Sequence, residues 1–507
     1  MPDDPFEALK RWSQAQQAFW AQAMHSPAAQ AIADFAPSDW QMADDLLDHL
    51  LAGFQPEGAA QQNDWIALLQ AGQAYKKLIH ATWANVQRDF EAHRIAVTSH
   101  TSNLPDWTEL RDRWLAIAEA AFVRLMRSPA FVSAQRDLLA AWCNWYSAQD
   151  SGVREAVQAA RLAQKTAATT AMNLVRVPIA ETPKQHVWRG GKASVHRYLP
   201  LRPGGAELGP ILICYGLVGR QTMTDLLPQR SLVRNLLAMG VDVFVIDWGS
   251  AGPEDVGNDL AYYAVDALGQ CIDAVCDAAG AQKLTLMGIC QGGTLALCHA
   301  ALRPKHLSGL ICTGAPVDFH ADEMDADPAH GLLNVWMRGL SAEDADRLID
   351  LEHGLSGDFL GAMFNQLNPV RSLGRYLVDL PGCLADPGAL NTFMAMETWL
   401  ADRPDLPAAL ARTWLKGLYQ ENRLVKGVLE LNGESVDLSA IGVPVLNMIA
   451  ANDHIIPPPC SAALSGFIAP ELYRTVSIPA GHIGMFVGRQ AQTVTAPGIA
   501  QWLREIA

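Results

Sequence analysis

Gly288-Ile289-Cys290-Gln291-Gly292-Gly293 follows the apolar run Lys283-Leu284-Thr285-Leu286-Met287 and precedes the helix-like stretch Thr294-Leu295-Ala296-Leu297-Cys298-His299-Ala300-Ala301. A strand that turns sharply into a helix needs such glycines, because the central residue is left strained with its side chain exposed above the sheet. Here that residue is a thiol. The helix N-terminus lies beneath the sulfur, so its unpaired N–H groups favour a thiolate, and the N–H of Gln291 is placed to donate to an oxyanion. The motif therefore predicts acyl transfer through a thioester on Cys290.

A cysteine that opens a helix can equally be a small buried hydrophobe. The order of the remaining candidates decides between the two readings, since this strand-turn-helix nucleophile is followed along the chain first by an acid and then by a histidine. Val443–Ala450 reads as a buried strand, and Ala451-Asn452-Asp453-His454 follows as a loop closed by Ile455-Ile456-Pro457-Pro458-Pro459, which puts Asp453 at a strand's C-terminal end. Leu472–Ile478 reads as the last strand, and Pro479-Ala480-Gly481-His482-Ile483-Gly484 leaves it with His482 in the loop. In these roles His482 takes the proton of Cys290 and returns it to the departing thiolate. Asp453 orients the imidazole or helps to deprotonate an incoming hydroxyl. The strand Ile211–Tyr215 runs into Gly216-Leu217-Val218-Gly219, where a second oxyanion donor is expected from the backbone of Leu217 or Val218; of the two, Val218 is taken. Asp247, at the end of another strand, reads as a structural hydrogen-bonding residue rather than a catalytic one.

The composition bounds the function. A chain of 507 residues, half of them hydrophobic, suffices for a large core and a second unit. The net charge of -15 disfavours nucleic acid as a partner. Nine cysteines, an odd number without metal-ligand spacing, suit reduced thiols in an intracellular enzyme, with Cys271 and Cys276 expected in a helical core. No metal is expected, because the histidines are scattered and neither HExxH nor paired-cysteine patterns occur. No apolar run reaches the length of a membrane span, and Met1-Pro2-Asp3-Asp4-Pro5-Phe6 lacks the marks of a secretory signal, so the expectation is a cytoplasmic protein without a transmembrane segment.

Along the chain the pattern changes once. Up to residue 176, Ala, Gln, Leu and Trp recur at helical spacing, broken at Pro37, Pro56, Pro105 and Pro129. Nine of the fifteen tryptophans fall here, among them Trp12, Trp20, Trp65, Trp83, Trp107, Trp114, Trp142 and Trp145, and they suit packing between helices or an apolar docking face. From about residue 180, apolar strands alternate with amphipathic helices, which implies a mostly parallel sheet covered on both faces. The expected strands are Ala193–Leu199, Ile211–Tyr215, Asp242–Asp247, Lys283–Met287, Ser308–Thr313, Val443–Ala450 and Leu472–Ile478, with helices at Ser231–Met239, Asp259–Ala279 and Thr294–Leu302. The fold class is α/β: an α/β-hydrolase fold over 177–507, carrying a helical lid insertion at about 317–440, preceded by an all-helical domain over 1–176. Helical pieces such as Gly331–Trp336 and Asn391–Trp399 would roof the site, exclude water and admit a long apolar chain, or else only enlarge the core; Trp336, Met363, Phe364, Phe393 and Met394 suit either.

A thiol also suits a particular exchange. Passing an acyl group from one thioester to another costs little, so a cysteine keeps it activated until an alcohol attacks. Seven stretches together carry a family resemblance: Glu181-Thr182-Pro183-Lys184, Asp225–Arg234, Val245-Ile246-Asp247-Trp248, Gly288–Gly293, Pro316-Val317-Asp318-Phe319-His320, Asp453-His454 and Gly481–Gly484. Through them residues from about 180 to 507 closely resemble the catalytic subunit of polyhydroxyalkanoate synthases of the two-subunit class III type. The resemblance implies Cys290 as the acylated nucleophile, His482 as its base and Asp453 as the acid assisting the 3-hydroxyl. It further implies (R)-3-hydroxyacyl-CoA as substrate, a growing polyester chain as product, no cofactor beyond the CoA thioester, a homodimer, and attachment to the granule surface. The stretch Trp114–Phe122 through Ser128–Leu139 resembles the separate helical partner of that class, joined here to the catalyst. The alternative is a cysteine-dependent hydrolase of the same fold, a depolymerase or thioesterase-like enzyme, since the same triad serves water as the nucleophile.

Overall fold

The computed structural model describes residues 59–100, 107–148, 177–201, 204–321, 331–352, 354–367, 374–375, 379–384 and 386–507. The helical pattern expected before residue 59 and over 149–176, with Trp12, Trp20 and the breaks at Pro37, Pro56 and Pro105, lies outside the described residues. Contacts divide the chain into two units: Met1–Arg176 with Asn368–Phe393, and Val177–Leu367 with Met394–Ala507.

In the first unit three helices are described, α1 (Ala59–His100), α2 (Trp107–Arg127) and α3 (Pro129–Ser147). The break at Pro129 is a helix restart. Ser128 caps α3 through its hydroxyl, which accepts the Phe131 N–H at 3.2 Å, and proline stands at the first helical position where no N–H is needed. Phe122 and Phe131 are fully buried, Trp83 stacks on Trp114 with ring centroids 5.8 Å apart, and Trp142 stacks on Tyr146 at the same separation. Trp83–Trp114 joins α1 to α2 and Trp65–Trp145 joins α1 to α3, while Trp142 stacks within α3.

The second unit is built on an eight-stranded sheet: β1 (Lys184–Gly190), β2 (Ala193–Tyr198), β3 (Leu208–Cys214), β4 (Val241–Asp247), β5 (Leu284–Ile289), β6 (Leu307–Thr313), β7 (Val445–Ala450) and β8 (Tyr473–Ile478). Their spatial order is β1-β2-β4-β3-β5-β6-β7-β8, with β2 antiparallel to β1 and to β4 and every later pair parallel. The central strands β4 and β5 read as nearly unbroken apolar runs because helices cover both faces. Helices α4 (Leu232–Ala238), α5 (Leu268–Ala279), α6 (Gln291–Leu302) and α7 (Ala496–Ile506) bury continuous apolar faces against the sheet, and Cys271 and Cys276 lie in the buried face of α5.

Two departures from the expected elements have physical causes. Strand β1 was not anticipated, because Lys184-Gln185-His186-Val187-Trp188-Arg189-Gly190 is a largely exposed edge strand with no apolar face to read. Helix α6 begins at Gln291, three residues before the expected start, since the glycine pair that follows is a poor helix former by propensity. Between β6 and β7 the insertion includes the helices Leu332–Gly339, Ala342–Glu352, Gly357–Leu367 and Pro387–Ala401 and a π-helical turn at Thr413–Gln420. Its root is tied to the sheet by side chains. Asn422 Nδ2 donates to Asp318 Oδ1 at 2.8 Å and its Oδ1 accepts the Phe319 N–H at 3.0 Å, while His320 Nε2 meets the Tyr419 carbonyl at 2.9 Å.

A second tie secures the start of this unit. Asp225, 1 % exposed, accepts the Thr182 hydroxyl at 2.7 Å, the Thr182 N–H at 3.2 Å and the Ser231 hydroxyl at 2.6 Å, and its carbonyl accepts the Ala180 N–H at 3.0 Å. Among the described residues no helix is long and apolar enough to cross a membrane.

Candidate active site

Cys290 occupies the turn between β5 and α6 with φ 54° and ψ -125°, a left-handed conformation that costs a non-glycine residue about 1–3 kcal/mol. Its surroundings enforce it. The Cys290 N–H donates to the Thr313 carbonyl at the end of β6 at 3.0 Å, and the Cys290 carbonyl accepts the Gly293 N–H at 2.8 Å. A Cβ at Gly292 would overlap the Cys214 carbonyl at the end of β3, and one at Gly293 would overlap the Ala315 Cβ, so both positions exclude a side chain. The sulfur is thus held at the C-terminal edge of the sheet and is partly exposed.

The acid and the histidine converge on the same edge because their two loops are zipped together. Ala451 N–H donates to the Ile478 carbonyl at 2.8 Å and Asn452 N–H to the Ala480 carbonyl at 3.0 Å, which continues the β7–β8 pairing past the strand ends. Asp453 Oδ2 then accepts His482 Nδ1 at 2.6 Å, with both side chains buried. Asp453 Oδ1 is separately engaged, accepting the N–H groups of Ile455 and Ile456 at 2.9 Å each. Burial on its own pushes the imidazole toward the neutral form, but the carboxylate of Asp453, the sulfur of Cys290 and hydrogen bonding to both outweigh it and hold His482 well above its ordinary range. The structure therefore pairs His482 with Asp453 by a direct hydrogen bond and leaves Cys290 near enough for its charge to act on the imidazole.

The backbone groups expected as oxyanion donors all involve Gln291. Gln291 is the first residue of α6, so its backbone N–H has no acceptor within the helix. The N–H of Val218 donates at 3.2 Å to the side-chain oxygen of Gln291, and the N–H of Leu217 donates to the same oxygen at 3.0 Å. Both members of the Leu217/Val218 pair therefore face one point. Asp247 behaves as a strand-end brace, its Oδ1 accepting the Gly249 N–H at 2.9 Å.

Several residues of the site were not singled out from the sequence. Gly314, directly after β6 with φ 54°, seats the histidine: a Cβ there would stand 3.2 Å from His482 Cε1 and 3.0 Å from Met485 Cε. The signal available was a glycine closing a strand next to the nucleophile's strand. Tyr215 and Tyr419 are buried close enough to Cys290 for its charge to act on them; burial first, and that charge second, hold both phenols far above their usual range. Arg403 donates to the Val218 carbonyl at 3.3 Å, and Trp399 Nε1 to the Arg220 carbonyl at 2.8 Å, so the insertion grips the loop after β3. Nothing in the local pattern of residues 399–403 distinguishes them from packing residues.

Several of the other cysteines are buried in the core. Burial pushes the thiols of Cys271, Cys298 and Cys312 up to about 12, which leaves them inert at neutral pH.

Residues 209–489 match the family model for the alpha/beta hydrolase fold. The chain is 36% identical over 330 residues to the poly(3-hydroxyalkanoate) polymerase subunit PhaC of Synechocystis sp., an alignment covering 65% of this chain and 86% of that protein. It is likewise 36% identical to the PhaC subunit of Allochromatium vinosum, over 66% of this chain and 92% of that protein, and 33% identical to that of Thiocystis violacea, over 66% and 91%.

Proposed function

Since this chain belongs to the poly(3-hydroxyalkanoate) polymerase family and is a polymerase built on an alpha/beta hydrolase frame, we propose that the polyester grows as a thioester on Cys290. The substrate in this reading is an (R)-3-hydroxyacyl-CoA. The thiolate of Cys290 attacks the thioester carbonyl, the oxyanion is met by the N–H groups of Gln291 and of the Leu217–Val218 loop, and CoA leaves as a thiolate that takes its proton from His482. The 3-hydroxyl of the next hydroxyacyl-CoA then gives its proton to His482 as its oxygen attacks the acyl carbon, forming the ester bond and expelling Cys290 as a thiolate; the lengthened chain, now a CoA thioester, returns to Cys290 by a repeat of the first step, which releases that CoA.

The geometry supports a narrower role for Asp453 than direct attack on the hydroxyl proton. Its Oδ1 is taken by two backbone N–H groups and its Oδ2 by His482, and it is 1 % exposed. Asp453 thus acts through the imidazole, fixing its tautomer and balancing its charge, while His482 serves as base in both half-reactions. The single observation carrying this reading is the buried His482–Asp453 hydrogen bond beside the strained turn that presents Cys290.

The reading extends to the helical residues of the first unit, taken as a partner subunit joined to its catalyst, and to a dimer working at the granule surface. The test supplies 3-hydroxybutyryl-CoA to the purified chain with no second protein. Stoichiometric CoA release with insoluble polymer is expected, and none from Cys290→Ala. CoA release accompanied only by free 3-hydroxybutyrate would mean a hydrolase, and polymer formed only after a helical partner is added would remove the fusion from the reading.

A further inference from the structure

An oxyanion hole works by presenting N–H groups that are already aimed and have no other acceptor. Here the Leu217 and Val218 N–H groups are spent. Each carries one hydrogen, and both hydrogens go to the side-chain oxygen of Gln291, at 3.0 and 3.2 Å. Gln291 is itself 7 % exposed and Leu217 is buried with it, so the contact is largely withdrawn from water, with Val218 at its partly buried edge. Its side chain lies along Gly216, whose Cα leaves just enough space: a Cβ there would stand 3.5 Å from Gln291 Cβ and 3.6 Å from its Oε1.

We propose that the Gln291 carboxamide is a resident occupant of the oxyanion site, and that acylation of Cys290 requires the substrate carbonyl to displace it. The inference rests on the acyl-transfer reading of Cys290 and deepens it. The same residue then has two opposed parts: its backbone N–H donates to the oxyanion, while its side-chain oxygen competes with that oxyanion for the other donors. An amide oxygen bearing partial negative charge imitates the ground-state carbonyl, and a full oxyanion outbids it, so the occupant holds the loop's N–H groups in aim between turnovers and yields as charge develops.

Beside this contact a small cleft borders Gly216, Leu217 and Arg220, with Asp247 and Pro407 among its walls. The insertion holds the loop's carbonyls, Arg403 at Val218 and Trp399 at Arg220. Release of the carboxamide therefore leaves the loop tethered by its carbonyls and its N–H groups free.

The test separates an occupant from a brace. Gln291→Met keeps the length and volume of the side chain and the backbone N–H but removes the oxygen; Gln291→Glu keeps an oxygen and adds charge. The readout is the pre-steady-state burst of 4-nitrophenolate from 4-nitrophenyl butyrate, which reports acylation of Cys290 whatever the natural acyl donor is. Alkylation of Cys290 by iodoacetamide runs alongside, because that reaction forms no oxyanion. The proposal expects Gln291→Met to acylate roughly three- to tenfold faster than the parent chain and Gln291→Glu to acylate more slowly, with alkylation of the Met variant unchanged, the span being that of losing one or two ordinary hydrogen bonds to a competitor. Slower or equal acylation by Gln291→Met with alkylation intact would show the oxygen to be a brace and overturn the proposal. Loss of alkylation in the Met variant would likewise overturn it, since the side chain would then shape the elbow itself. Failure of the polymerase reading shows elsewhere, as absence of polymer from 3-hydroxybutyryl-CoA by the parent chain.

Discussion

The sheet's C-terminal edge and the helices α1–α3 solve different problems with different residues. At the edge, identity is dictated atom by atom: Gly292 because the Cys214 carbonyl lies where a Cβ would be, Gly314 because its φ of 54° and a tight approach to the His482 ring disfavour one, Asp453 because two N–H groups and an imidazole converge on it. In the helices, Phe122, Phe131 and the stacked pairs Trp83–Trp114 and Trp142–Tyr146 fill space, and any set of large apolar rings of similar volume would meet the same demand. The lesson is that geometric constraint leaves a readable signature, whereas packing leaves only a periodicity.

Substitutions at the two places should break that comparison or sharpen it. Asp453→Asn is expected to lower CoA release by about 10³- to 10⁴-fold, because the carboxamide neither fixes the imidazole tautomer nor balances its charge. The counterpart, Phe131→Ala, should cost about 3–5 kcal/mol of stability, seen as a fall in the urea midpoint, while turnover per folded molecule stays level. A matching fall in turnover would show that α1–α3 do more than pack. Gly314→Ala stands between the two. A methyl 3.2 Å from His482, at a residue with φ 54°, pushes the imidazole by a few tenths of an ångström and should lower the rate by less than the roughly 10²-fold that a 1 Å misplacement costs; an unchanged rate would mean the ring tolerates another seat.

The smallest effect is in pH. The folded-state pKa of His482 is raised above 6.5, so the charged imidazole stabilises the fold fully below that value, and the contribution is lost as pH rises through the folded pKa. The stability difference between the parent chain and Asp453→Asn should therefore shrink on going from pH 6 to alkaline pH. A difference that grows with pH would reverse the sign assigned to the pair.

The same contrast governs what was legible in advance. Cys290, Asp453 and His482 could be placed because each ends a strand in an order the fold imposes, and seven of the eight sheet strands show as apolar runs. Strand β1 could not, since an exposed edge has no apolar alternation to display. Nor could the Gln291 side chain, Trp399 or Arg403, because their partners are backbone atoms brought close only by the fold and such pairings leave no spacing to read. The start of α6 was hidden by the very glycines that make the turn possible.

The tie between Thr182 and Asp225 bears on anyone who wishes to cut this gene in two. A fragment starting at residue 183 would strand the Asp225 carboxylate in the interior with only the Ser231 hydroxyl from this cluster, and would lose the backbone bond from Ala180 as well. One starting at Val177 carries both anchors with it, so the six residues between those two cut points separate a fragment with its buried carboxylate satisfied from one in which it is short of two donors.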